Sequence, residues 1–159
     1  MSSEIRTGFT PEQRGELAAG LTKVLADTYA VYLKTHGYHW NVRGPNFHAL
    51  HALFMEQYTE MWAALDELAE RIRALGEFAP QGYGAFANLT AVRDGDPTKP
   101  SEAMVEELMR DHETLIATAR AALKDAEGEP DPVTVDLLTQ RLTIHEKHAW
   151  MLRATIGGK

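Results

Sequence analysis

Residues 47–76 read FHALHALFMEQYTEMWAALDELAERIRALG. Within them Phe47, Leu50, Phe54, Tyr58, Met61, Leu65, Leu68, Ile72 and Leu75 follow one another in steps of three and four without a miss. A turn of helix takes about 3.6 residues, so this spacing lays all nine along one stripe of a helix about eight turns long. Gly76 supplies the stop, because glycine adopts the left-handed conformation that closes a helix end without steric penalty.

The chain on either side is punctuated to match. Upstream stands Gly44-Pro45, a break, and before it Thr10, Pro11 and Gln13 read as a capping box opening a helix that runs from about Pro11 to near His39. Leu17, Leu21, Val24, Leu25, Thr28 and Val31 continue that helix at helical spacing. Downstream, Glu77 to Pro100 is rich in Gly and Pro, with an apolar patch at Ala85 to Leu89 long enough for one or two helical turns. Ser101 reads as the cap of a third long helix reaching about Ala126, Gly128 and Pro130 break it, and Asp131-Pro132 opens a fourth that ends before Gly157-Gly158. No strand pattern competes. Two short connections and one long one describe an all-α, ferritin-like four-helix bundle with a short extra helix in the crossover between the second and third long helices, since the long link lets those two run parallel.

A chain of 159 residues suits a single domain over 1–159, with short tails at 1–10 and 156–159. No apolar run approaches the roughly 20 residues that cross a bilayer, and MSSEIRTGFT is not a secretory signal. A cytoplasmic protein with no membrane partner is expected. The absence of cysteine excludes disulfides and thiolate metal sites, which leaves imidazole and carboxylate as the strong metal ligands. The formal charge of -7 disfavours long-range attraction to nucleic acid and favours cations.

The seven histidines fall as His36 and His39, His48 and His51, and His145 and His148, each pair three apart, with His112 alone. The first four crowd into residues 35–51, THGYHWNVRGPNFHALH, around the Gly-Pro break. A single His-x-x-His pair is common at helix ends and interfaces; two pairs flanking one tight turn point to metal. Asp66 and Glu70, four apart on the second long helix, offer the carboxylates that iron prefers beside imidazole, although alone they also read as a solvated acidic stripe near Arg71 and Arg73. Ferritin centres within one chain use Glu-x-x-His pairs, and no histidine here has a Glu three residues before it. From His51 to Glu70 is nineteen residues on one helix, roughly 28 Å, whereas metal ligands stand about 2 Å from the metal. The two groups cannot meet within one chain. Two copies of the helix antiparallel across a two-fold axis would bring them together twice, in equivalent sites between subunits.

The segments YHWNVRGPNFHALH, DELAERIRALG and HEKHAWMLRA together resemble the Dps family, the mini-ferritins also named DNA-binding proteins from starved cells, and the likeness covers nearly the whole chain. The resemblance implies a homododecamer of four-helix subunits with ferroxidase centres at its two-fold interfaces. There Fe(II) would be oxidised, preferably by hydrogen peroxide rather than dioxygen, and stored as ferric mineral, protecting against oxidative stress. It implies His39 and His51 as iron ligands from one subunit and Asp66 and Glu70 from its neighbour, with Glu70 the main ligand. Trp40 and Trp150 match aromatic residues near the family's centre that pass electrons, while core or interface packing explains them equally well. Met55 stands where many members have an acidic ligand, and the thioether is too soft for iron, so one firm iron site and a weak second are expected. Asp131 and Asp136 become candidates for pore lining, although acidic residues at a helix start also favour the helix dipole.

The family name also suggests DNA binding with nucleoid association. Many phosphate contacts need a basic tail, yet residues 1 to 10 contain only Arg6 against Glu4, and RATIGGK ends with Arg153 and Lys159. Weak DNA contact, multiplied by the repeated surface of a shell, is the expectation.

Overall fold

The structure, a computed structural model, describes residues 4–129 and 131–158. They form five helices and no strand: α1 Pro11–Asn41, α2 Phe47–Ala74, α3 Tyr83–Leu89, α4 Ser101–Gly128 and α5 Pro132–Thr155. The four long ones make the expected bundle, and α3 is the expected short helix in the crossover.

Helix ends follow local chemistry. The Thr10 hydroxyl accepts from the Gln13 backbone N–H at 3.3 Å while the Gln13 side chain accepts from the Thr10 N–H at 2.8 Å, a complete capping box with Pro11 at the first position. Past α2, Gly76 takes φ +100 and the N–H of Glu77 returns to the Ile72 carbonyl at 3.3 Å. One cap differs from expectation. Ser101 is the first residue of α4 rather than its cap, because Pro100, with φ -60 and ψ 151, already brings the chain into the helix and caps it without a side-chain bond. The break expected at Gly128 falls one residue later, and Pro130 lies outside the described residues.

The core divides into two apolar clusters. One gathers Leu21, Val24, Leu25 and Val31 of α1, Met61, Leu68 and Ile72 of α2, Leu115 and Ala119 of α4, and Leu138 and Leu142 of α5. The other holds Tyr38 and Val42, Leu50 and Phe54, Met104 and Leu108, and Leu152. In this second cluster the end of α1 meets the starts of α2 and α4 and the end of α5, so α2 and α4 run in the same direction, as the long crossover requires. Each large side chain fully buried here contributes about 1.5–3 kcal/mol relative to exposure.

Between the clusters the stripe of each long helix turns polar. Thr35 on α1, Gln57 on α2, His112 on α4 and His145 on α5 are all fully buried at this level. The crossover is pinned separately. Buried Asp27 accepts from Thr90 Oγ1, Ala91 N and Thr118 Oγ1 at 2.7–2.8 Å, and the Tyr29 and Phe86 rings stack at 4.4 Å.

Candidate metal centres

The corner between α1 and α2 is set by Gly44, at φ +114, followed by Pro45 and by a turn in which Phe47 N bonds the Gly44 carbonyl at 3.0 Å. This turn folds the end of α1 onto the start of α2, and His39 and His51 meet with ring centroids 3.7 Å apart and planes 18° from parallel. Each ring also bonds the other residue's backbone: His39 Nδ1 lies 2.7 Å from the His51 carbonyl oxygen, and His51 Nδ1 lies 2.8 Å from that of His39. A carbonyl oxygen only accepts, so both Nδ1 atoms carry protons, and Nε2 is the nitrogen that each ring keeps outside the clasp. A metal-ligating histidine is oriented in this way, with one nitrogen donating to a fixed acceptor and the other free to bind.

Around the pair, His36 stacks on Tyr58 at 3.9 Å and lies 4.4 Å from the Trp40 ring. Burial, with His39 adding to it, holds the His36 imidazole below its ordinary value. Trp40 and Trp150 are 64% and 58% exposed, so packing in the subunit core does not account for them. Trp150 has no aromatic partner among the described residues.

Asp66 and Glu70 are exposed on α2, and neither has a hydrogen bond or ion pair among the described residues. With 100° per residue, His51, Met55, Trp62, Asp66 and Glu70 fall within an arc of about 100°. One stripe of α2 thus carries histidine at one end, free carboxylates at the other, and Trp62, 62% exposed, between them. The chain brings the histidines together and leaves the carboxylates at the far end, as the spacing required.

Asp131 is not free for a pore. It is 2% exposed, caps α5 by accepting from Val133 N and Thr134 N, and holds Arg71 at 2.6 Å and the Thr134 hydroxyl at 2.5 Å. Burial opposes its ionisation, but these bonds outweigh it and keep the carboxyl below its ordinary value. Asp136 stays exposed and accepts from Gln140.

A second histidine group lies in the polar layer of the core. Ring nitrogens of His112, His145 and His148 lie within 4.8 Å of one another, and all three residues are buried. Burial pushes the His112 and His145 imidazoles well below the ordinary histidine value; it takes His148 down to about 4, against the pull of Glu60. All three rings are neutral near pH 7. The sequence expectation left His112 alone, yet a signal was there: it sits four residues after Leu108 and three before Leu115, on the apolar stripe of α4.

Residues 18–158 match the ferritin-like domain. The chain is 37% identical to DNA protection during starvation protein 2 of Bacillus anthracis, over 86% of this chain and 94% of that protein. It is 39% identical to a low temperature-induced protein of Nostoc, over 98% of this chain and 88% of the relative. The Dps protein of Vibrio cholerae, a member of the ferritin-like diiron-carboxylate superfamily, superposes with a TM-score of 0.91 at 28% identity, covering 98% of this chain and 99% of that one. The match of bundle, sequence and coverage makes this chain a member of the Dps family of ferritin-like proteins.

Proposed function

We propose that this chain is a mini-ferritin subunit that oxidises Fe(II) at centres shared between two-fold-related subunits and stores the ferric product inside a dodecameric shell. The observation that carries the reading is the reciprocal clasp of His39 and His51, which fixes two imidazoles through Nδ1 and leaves Nε2 outside the clasp, on a chain whose free carboxylates lie at the opposite end of the same stripe. Antiparallel pairing of α2 across a two-fold axis joins His39 and His51 of one subunit to Asp66 and Glu70 of the next and covers the exposed Trp62 and Met55.

In such a centre the imidazoles hold ferrous iron as substrate, and the ionised carboxylates favour the ferric product because they stabilise the higher charge. Each ferrous ion gives one electron and each peroxide takes two, so two ferrous ions reduce one peroxide to two hydroxide ions, the second electron coming from iron at the weaker position or through the tryptophans, and no hydroxyl radical is left; dioxygen serves as the slower oxidant. Trp40, beside His39, and Trp150 on α5 are the proposed electron relays at this interface. DNA protection, named for the Bacillus anthracis relative, is the second reading. Among residues 4–10 the cation is Arg6, held by Glu4 at 3.1 Å, so this segment offers phosphates little positive charge, and salt-sensitive contact through the repeated surface of a shell is the form of DNA binding proposed. No described helix is long and apolar enough to cross a membrane, and a cytoplasmic location is proposed.

Anaerobic ferrous titration followed by peroxide tests the reading, with Asp66→Ala/Glu70→Ala run beside the parent. Rapid ferric formation in the parent, lost in the variant, is expected. Equal rates in both would remove the interface centre. A gel shift that survives moderate salt would instead move the function toward DNA.

A further inference from the structure

The core histidines take no part in that chemistry, and their hydrogen bonds leave buried ring nitrogens unused. Arg141 Nη2 stands 3.0 Å from His145 Nε2. A guanidinium only donates, so His145 Nε2 is the acceptor and the proton of this neutral ring sits on Nδ1. That proton points at His112 Nδ1, 3.1 Å away, which places the His112 proton on Nε2. His112 Nε2 has no acceptor, and His148 Nδ1 has no partner at all among the described residues. At the same level on α2, one turn before Glu60, Gln57 is fully buried with both amide atoms unpartnered. Buried polar groups are nearly always paired, so a cluster of orphans between two apolar layers calls for a ligand.

We propose that His112, His145 and His148 form a binding site inside each subunit for one divalent cation of the zinc class, separate from the intersubunit iron centre. Three neutral imidazoles without a carboxylate are a nitrogen donor set that suits zinc and cobalt(II), whereas magnesium and calcium prefer oxygen. The ring nitrogens of all three histidines lie within 4.8 Å of one another, and for one pair the spacing is already close to what such a cation needs. Zinc–nitrogen bonds of 2.0–2.1 Å at tetrahedral angles separate two ligand nitrogens by about 3.3 Å. His112 Nδ1 and His145 Nδ1 already lie 3.1 Å apart, so a cation replacing the proton between them widens the gap by only a few tenths of an ångström.

The proton balance is also closed. His112 Nδ1 already carries a lone pair, and His145 frees its Nδ1 by moving its proton to Nε2, so no net proton leaves the pair. The moved proton then faces Arg141, which must fall back on Glu60, a carboxylate it already grips through both terminal nitrogens. Arg141, whose positive field reaches all three rings, is paired with the Glu60 carboxylate, and at His148 Glu60 and Glu56 oppose Arg141 and Lys147, so the charges around the site balance. No Glu-x-x-His pair is involved, which distinguishes this donor set from a di-iron ferritin centre.

The test uses the assembled protein carrying His39→Ala, His51→Ala, Asp66→Ala and Glu70→Ala, so that the interface centre cannot contribute. After chelation, equilibrium dialysis against Zn2+ with elemental analysis is expected to give one zinc per subunit. Co2+ is expected to show the visible absorption of a four-coordinate site of three imidazoles and one water and to lose it when Zn2+ is added. Adding His148→Gln is expected to weaken binding at least a hundredfold. Arg141→Met, which removes the donor competing for His145 and frees Glu60, is expected to tighten it about tenfold. A readout that needs no core substitution is the melting temperature, which saturating zinc should raise. No bound zinc, an unmoved melting temperature, or binding unchanged by His148→Gln in a folded shell would each overturn the site and leave a hydrogen-bonded core layer.

Discussion

At the corner between α1 and α2, His39 and His51 each donate a hydrogen bond to a backbone carbonyl, whereas in the core His145 donates one to His112 and accepts one from Arg141. The backbone at the corner cannot change its role, so the free Nε2 atoms are defined whether or not a metal is present. In the core every partner is a side chain with an alternative state, and the same element, imidazole, becomes sensitive to protons and to whatever enters. The comparison teaches that the number of histidines in a cluster says less about its chemistry than the kind of group that fixes each ring.

Acid should break the core cluster with the largest effect. His148 is faced by His112 of α4, by His145, Arg141 and Lys147 of its own helix, and by Glu56 and Glu60 of α2; burial dominates and holds it at about 4. Its folded value is below the unfolded value of about 6.5, so the unfolded chain binds the proton more readily. Stability is therefore complete above about pH 6.5 and falls as the pH drops toward 4, by on the order of 3 kcal/mol for this residue alone. Urea midpoints of chelated protein at pH 7 and 4.5 measure it, and equal midpoints would mean that the layer is hydrated.

The corner is broken differently. His51→Ala keeps the residue 51 carbonyl that orients His39 but removes one free Nε2 and the stacked ring. Iron oxidation should fall at least tenfold, about 1.4 kcal/mol in the barrier, while the fold stays intact. An unchanged rate would show that the clasp is structural. Smaller again is Gly44→Ala, which forces a side chain into φ +114 with nothing but the Ser101 hydroxyl nearby. Strain of about 1 kcal/mol, read as a lowered melting temperature, is expected from the backbone alone; an unmoved melting temperature would mean that the turn relaxes.

How much of this was legible from sequence depended on the distance between partners. The α2 stripe and the Thr10–Gln13 capping box depend on residues three or four apart, and they were readable, whereas the cap expected at Ser101 moved to Pro100. The clasp was half readable: two histidine pairs around a Gly-Pro turn pointed to metal, but the exchange of carbonyls depends on how the turn folds one helix end onto the next. Asp131 was readable as the start of α5, but its Arg71 partner, which buries it away from any pore, lies sixty residues earlier on α2 and was not. The core layer was written as Thr35, Gln57, His112 and His145, but the apolar stripe of α2 was read through Tyr58 and past Gln57, and only the bundle shows that these four polar residues share one level.

Met55→Glu sharpens the comparison with the smallest effect. Met55 stands one turn after His51 on the same stripe and is 48% exposed, so its side chain faces whatever covers that stripe. The thioether is a soft, neutral donor that gives ferrous iron little, whereas a carboxylate is hard and anionic. The substitution buries no charge in the isolated subunit and keeps a good helix former, so stability should stay within about 0.5 kcal/mol. If the corner lacks only an oxygen donor for its second iron, the variant should bind about twice as much ferrous iron per interface in the anaerobic titration. An unchanged stoichiometry would mean that the position of residue 55, and not its chemistry, keeps the second iron out.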